Sequence, residues 1–330
     1  MSLGGNNMEQ DSILKHLEQF HSQCIHAAKL ASEYYAKDPE NIDNIVVTGV
    51  GNSALPGDLL KSYLNIKKAV YVNRGYRIPE FVGPRSLVFV ISYSGETEET
   101  IDAYRSSLSR KAQVICITSG GKLGQLCRIN NTEQILIPKG IPQRLALGYM
   151  FIPMLKVLEN SGLCDLSDEI EKTAKTLKSP MFKNKALELA DRLLKKIPLI
   201  YTSSKFKSIG LRWKYMLNET AKTLAFTGEF PDMNYNEING FSQPQGDFEV
   251  LIINEDTDYS KVKKHMKIAK DIIKKKVRVT EIAITGDCQL SKIFSTIHLG
   301  DWTAYILARK LGIDPVKAEY SDSIRESLKK

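Results

Sequence analysis

Cysteine is scarce in this chain: five in 330 residues, at positions 24, 116, 127, 164 and 288, and no two form a Cys-x-x-Cys pair. An odd, scattered set excludes a disulfide framework and a zinc knuckle. The five histidines are equally dispersed; His16, His21 and His26 recur every five residues, not at the three or four that shares a helix face. A metal site and a bound cofactor are therefore not expected. No apolar run approaches the ~20 residues that span a bilayer, and no secretory leader is visible. The expectation is a cytoplasmic protein without a membrane partner. A net charge of +8 points toward nucleic acid. Yet the lysines concentrate in helical stretches such as 261–276, with no aromatic-interleaved basic patch, so they read as solvated faces. A modest positive field suits a small anionic substrate equally well.

What is present is an alternation of short apolar runs with helical patterns. Residues 8–36 carry helical periodicity through Ile13, Leu17, Phe20, Cys24 and Ala31. Strand-like runs follow at 45–48, 69–73, 87–91, 113–118 and 133–138, mostly separated by helical segments. Residues 150–195 read as helices, and the pattern then resumes. Residues 198–202 form a strand, Phe248-Glu-Val-Leu-Ile-Ile-Asn echoes 87–91, and Arg278-Val-Thr-Glu-Ile-Ala-Ile echoes Gln113-Val-Ile-Cys-Ile. The expected fold is α/β, with two copies of one unit, each a parallel sheet flanked by helices. The boundaries read as an N-terminal helix at 1–36, a first unit at 37–155, a helical linker at 156–195, a second unit at 196–310 and a C-terminal helix at 311–330.

The most informative stretch is Phe89-Val-Ile-Ser-Tyr-Ser-Gly-Glu-Thr-Glu-Glu-Thr-Ile101. A buried strand empties into Ser92, Ser94, Gly95 and Thr97 before the chain turns helical. Hydroxyls and a glycine at a helix N-terminus, with free N–H groups and the positive end of the helix dipole, make a seat for an anion such as phosphate. The plainer alternative is a Ser-Gly turn with Thr97 as an ordinary N-cap. The second copy carries Glu255, Asp256 and Asp258 in the matching loop, which would repel phosphate. Gly49-Val-Gly-Asn-Ser-Ala begins like a dinucleotide fingerprint. The third glycine is missing, however, and Asn73-Arg74 stands where an acidic residue would bind ribose, which argues against a nicotinamide cofactor.

Together these blocks resemble the sugar isomerase (SIS) domain, and more closely the bifunctional phosphoglucose/phosphomannose isomerases, which pair two such domains. The likeness rests on Gly49-Val-Gly-Asn-Ser-Ala-Leu-Pro-Gly-Asp, Ser92-Tyr-Ser-Gly-Glu-Thr, Pro138-Lys-Gly-Ile-Pro-Gln-Arg, Asn218-Glu-Thr-Ala-Lys, Tyr235-Asn-Glu-Ile-Asn-Gly and Gly312-Ile-Asp-Pro. It implies aldose–ketose isomerisation of glucose 6-phosphate and mannose 6-phosphate to fructose 6-phosphate through a cis-enediol. By this resemblance the substrate is bound by Gly51, Asn52, Ser53, Ser92, Ser94, Gly95 and Thr97. Arg144 stabilises the enediolate, and Glu219 shuttles the proton between C1 and C2. Read without the likeness, Glu219 is a solvated residue of an amphipathic helix and Arg144 a surface arginine.

Two positions depart from the family. A ring-opening histidine that reaches the site from a neighbouring subunit is replaced by Tyr235, and a phenol with a reference pKa near ~10 takes no proton readily at pH 7. The ring-opening lysine of the last helix aligns with Arg325, or alternatively with Lys329; an arginine cannot exchange protons. The likeness also implies a homodimer. The alternative reading is a phosphosugar-binding protein that is non-catalytic or of altered specificity. A DNA-binding regulator is disfavoured, because the residues before the first strand read as one helix.

Overall fold

The computed structural model describes residues 5–64 and 66–328, without the side chains of residues 5–11, Arg325 and Leu328. Two helices, α1 (Gly5–Glu18) and α2 (Phe20–Leu30), precede the first sheet unit. That unit runs β1 (Asn44–Thr48), α3 (Leu55–Tyr63), β2 (Ala69–Asn73), β3 (Ser86–Ser92), α4 (Glu98–Ser109), β4 (Gln113–Thr118), α5 (Gly121–Ile129) and β5 (Glu133–Leu136). Three helices follow: α6 (Leu147–Asn160), α7 (Glu169–Leu177) and α8 (Met181–Leu193). The second unit comprises β6 (Ile197–Ser203), α9 (Lys207–Glu219), β7 (Phe226–Phe230), β8 (Phe248–Asn254), α10 (Ser260–Ile273) and β9 (Arg278–Ala283). The chain closes with α11 (Gln289–Lys310) and α12 (Glu319–Leu328).

Every strand pairing is parallel, in the orders β2-β1-β3-β4-β5 and β7-β6-β8-β9. Both sheets thus reverse direction at the same place, between β1 and β3 and between β6 and β8. Such a switch point opens a crevice at the carboxyl ends of the two strands. The period-2 alternation sets the faces. Val47, Phe89, Ile91, Ile115 and Ile117 point toward the central helices, whereas Val46, Val88, Val90, Val114 and Cys116 point to the outer layer with Ala103, Tyr104 and Leu123. The central cluster also takes in Ile200, Leu251 and Ile253 of the second sheet. One core therefore joins the two sheets, and α11, buried along most of its length, packs on α7, α8 and α9 within it.

Two expectations are corrected. The N-terminal segment is not a single helix: it breaks at Gln19, whose ψ of 8° leaves the helical range. Leu17 and Phe20, on either side, both enter the core. The second sheet also contains β7, which the apolar patterning did not reveal. The strand is short, carries Gly228 at its centre and leaves Phe226 exposed. Among the described residues no helix is long and apolar enough to cross a membrane.

Candidate active site

The first crevice is built by the loops leaving β1 and β3. Gly49 lies so close to the β3 end that an added Cβ would sit 2.9 Å from the Ile91 carbonyl and 2.6 Å from that of Ser53. This close approach folds residues 51–53 into a 3-10 turn, burying Asn52 and Ser53 and leaving Gly51 exposed. In the adjacent loop, the buried Ser92 hydroxyl donates to Thr97 Oγ1 (3.2 Å) and accepts the Gly95 N–H (3.1 Å), while the exposed Ser94 accepts the Glu96 N–H. Gly95 has φ +73°, and a Cβ there would lie 1.9 Å from the Gly120 carbonyl, so only glycine fits. Thr97 has the extended backbone of an N-cap, yet no side-chain cap bond forms, because its hydroxyl faces Ser92. The first amides of α4 therefore remain open toward the loop.

Tyr93, between the two serines, carries the loop's geometry onward. Its hydroxyl donates to the Pro138 carbonyl (3.0 Å) and accepts the Ile141 N–H (2.8 Å), anchoring the segment that bears Gln143 and Arg144. Gln143 returns to the first loop by donating to Ser53 Oγ (2.9 Å). Arg144 is 6% exposed; its Nη2 donates to the carbonyls of Pro315 and Val316, just before α12, and its buried Nε–H meets no acceptor among the described residues. Burial pulls its pKa down, against the pull of Glu219, but a guanidinium stays charged in a protein.

Glu219 ends α9, in the second unit, and its Oε1 accepts the Asn52 Nδ2–H at 2.8 Å. A carboxylate from the C-terminal half thus meets the first loop of the N-terminal half. Lys222, three residues on, has φ +51° and donates to the Glu219 and Lys317 carbonyls. Burial and then Arg144 push its pKa down. Asn52 also accepts from Arg212 Nη1 (3.0 Å), and Arg212 forms a bidentate pair with Asp301 of α11 (2.9 and 2.7 Å) and donates to the Arg144 carbonyl (2.6 Å).

The structure therefore gathers Asn52, Ser53, Arg144 and Glu219 around one cleft, with Gly51 in the same turn and Ser92, Ser94, Gly95 and Thr97 on the neighbouring strand end. It does not bring Tyr235 to them. That residue lies in a 3-10 turn after β7, is 76% exposed, and shares no hydrogen bond with Glu219 or Arg144. Arg325 falls on α12 with its side chain outside the described part, and Lys329 lies outside the described residues. Gln143, Arg212, Lys222 and Asp301 were not singled out from the sequence.

In the second sheet the matching crevice is filled from within. Glu255 is 2% exposed and accepts from Lys292 and Thr257, both at 2.6 Å, with Lys205 at 3.5 Å. Burial raises its pKa, but these partners outweigh that and leave it lowered. A carboxylate is held where the first crevice offers hydroxyls and amides.

Residues 40–152 match the SIS domain, and residues 182–328 match the bacterial phospho-glucose isomerase C-terminal SIS domain. The chain is 37% identical to a bifunctional phosphoglucose/phosphomannose isomerase of Caldicellulosiruptor bescii, covering 88% of this chain and 90% of that one. A protein of the same name from Aquifex aeolicus is 33% identical, covering 97% and 99%. Among solved structures, a hypothetical protein from Thermus thermophilus superposes with a TM-score of 0.74 at 15% identity, covering 99% of this chain and 91% of that one, which speaks to fold alone. With two SIS-type sheets in one chain and relatives aligned over nearly its whole length, the protein belongs to the bifunctional phosphoglucose/phosphomannose isomerase family.

Proposed function

We propose that the chain interconverts glucose 6-phosphate or mannose 6-phosphate with fructose 6-phosphate, using Glu219 as the base. The hydrogen bond between Asn52 and Glu219 carries this reading, because it unites the hydroxyl-lined crevice of one half with the carboxylate of the other. The phosphate dianion is held by Ser53, Ser92, Ser94 and Thr97, with the Gly51 and Gly95 backbone and the open amides of α4. Anchored there, the sugar extends toward α9, where Glu219 takes the proton from C2 of the aldose. The C–H bonding pair forms the C1–C2 double bond of the cis-enediol as the C1=O π pair moves onto O1. A proton passes from O2 to O1, and as the O2 pair closes the C2 carbonyl, Glu219 returns its proton to C1 to give the ketose. Charge developing on the enediolate oxygens is met by Arg144, whose buried Nε–H meets no acceptor among the described residues.

Ring opening is the step with the weakest provision, since by the family resemblance Tyr235 takes the place of the ring-opening histidine. Its exposure fits a residue offered to the site of a second copy, in a homodimer. This same feature supports a second reading, a phosphosugar-binding protein with little or altered turnover.

A coupled assay with each sugar 6-phosphate separates the two. Turnover by the wild-type chain that falls by about 10²–10⁴-fold in Glu219→Gln is the expected result. Substrate binding without turnover supports the binding protein, and activity that survives Glu219→Gln removes Glu219 as base.

A further inference from the structure

The side chain that organises the cleft is one the isomerisation chemistry does not call on. Arg212 is 1% exposed, and four N–H bonds leave its guanidinium: two to Asp301, one to Asn52 and one to the Arg144 carbonyl. We propose that Arg212 is a positioning residue, locked by Asp301, that fixes the Asn52 amide so that its N–H holds Glu219 against the reacting carbons. The proposal rests on Glu219 as the base.

The argument is one of donor and acceptor parity. A guanidinium has no acceptor, so the Asn52 side chain must turn its oxygen toward Arg212. The amide nitrogen is then forced toward Glu219, 2.8 Å away. Without Arg212, the amide could flip and present its oxygen to the carboxylate, turning an attraction into a repulsion. Asp301, 4% exposed, keeps the guanidinium from rotating and balances its charge. Since the pair is close to neutral, its influence on Glu219 passes through Asn52 and not through a long-range field. Arg212 also holds the backbone of Arg144, so base and enediolate cation are registered on one side chain.

Other groups face Glu219 and must be held constant in any test: Arg144 from the turn before α6, Lys222 from the loop after α9, and Tyr215 on α9 itself, with Asp314 close to both Arg144 and Lys222. The substitutions Arg212→Lys and Asn52→Asp keep all four side chains, although Arg212→Lys also withdraws a donor from the Arg144 carbonyl. Lysine keeps the charge opposite Asp301 but loses the fork. Aspartate still gives Arg212 an acceptor, while setting an anion against Glu219.

The test is steady-state kcat and KM, with the melting temperature of each variant beside them. In both single variants kcat is expected to fall about 10–100-fold with KM within about threefold. The Arg212→Lys/Asn52→Asp double variant should lose less than the product of the two single losses, because both changes act through one amide. A kcat within about threefold of the wild-type chain in either single variant, or losses that multiply in the double variant, overturns the proposal. A purely structural Arg212 would lower the melting temperature and leave kcat of the folded protein unchanged. Glu219→Gln measured in parallel separates the two ideas: full activity there removes Glu219 as base, whereas a large loss there with kcat unmoved in Arg212→Lys removes the positioning role alone.

Discussion

At the scale of single residues, the proposed chemistry divides the cleft between side chains that would bind and side chains that would react. Ser92, proposed to hold the phosphate, has two bonds already made, one to Thr97 and one from the Gly95 amide. Both point it and its loop toward the α4 amides. A contact with the phosphate, as proposed, would be the same in ground and transition states, so its removal should weaken binding more than chemistry. Ser92→Ala is expected to raise KM for the sugar phosphate about tenfold with kcat changed less than about threefold, measured by steady-state kinetics. A large kcat loss at constant KM would place Ser92 among the reacting groups. Asn52 shows how a residue type suggests a role that geometry refines. Its position in the Gly-x-Gly-Asn-Ser block suggests a contact with substrate, and its amide also bridges Arg212 and Glu219. The sequence held a signal for Arg212: it stands three residues after Ile209 and one before Trp213, on the apolar face of α9. A charge on such a face needs a buried partner. That partner, 89 positions away on the long buried helix α11, cannot be read from local pattern.

At the scale of elements, the strands were legible because a strand buried on both faces reads as an unbroken apolar run, and β3 is buried at all seven positions. β7 escaped because an edge strand needs only half of that signature. The helix α11 illustrates what burial does to chemistry. His298 is 3% exposed and packed between Phe20, Phe182 and Trp302, with Nε2 accepting the Trp302 indole N–H at 3.0 Å. Burial, and then the charge of His21, push its pKa down to about 3. The folded value lies below the ~6.5 of an unfolded histidine, so between these values the unfolded chain binds the extra proton. Stability is therefore lost as pH falls below about 6.5, by about 2 kcal/mol from this residue at pH 5. Glutamine at 298 can still accept from Trp302 and does not titrate. In urea unfolding, the drop in stability from pH 7 to pH 5 should be about 2 kcal/mol smaller in His298→Gln than in the wild-type chain. Equal drops would mean that His298 is protonated at no cost in the folded protein.

At the scale of the whole molecule, two sheets with the same switch point share one core, yet they have diverged at their crevices: hydroxyls and amides in one, the Glu255 carboxylate with Lys205 and Lys292 in the other. The second unit lends the first its carboxylate, Glu219. It also carries Tyr235 outward on the turn after its edge strand, where a single copy gives the ring nothing to act on. If the proposed dimer seats Tyr235 in a partner's cleft, replacing it with a group that can exchange protons near neutrality should restore assisted ring opening. Tyr235→His is accordingly expected to raise kcat for glucose 6-phosphate several-fold and to add a limb near pH ~6.5 to the rate profile. The gain should depend on assembly: it should shrink on dilution below the dimer's dissociation constant, followed by sedimentation velocity at matched concentrations. A histidine variant with unchanged turnover would remove residue 235 from ring opening. A gain that persists in a monomer would place it beside its own chain's cleft, and the dimer would no longer be needed to complete the site.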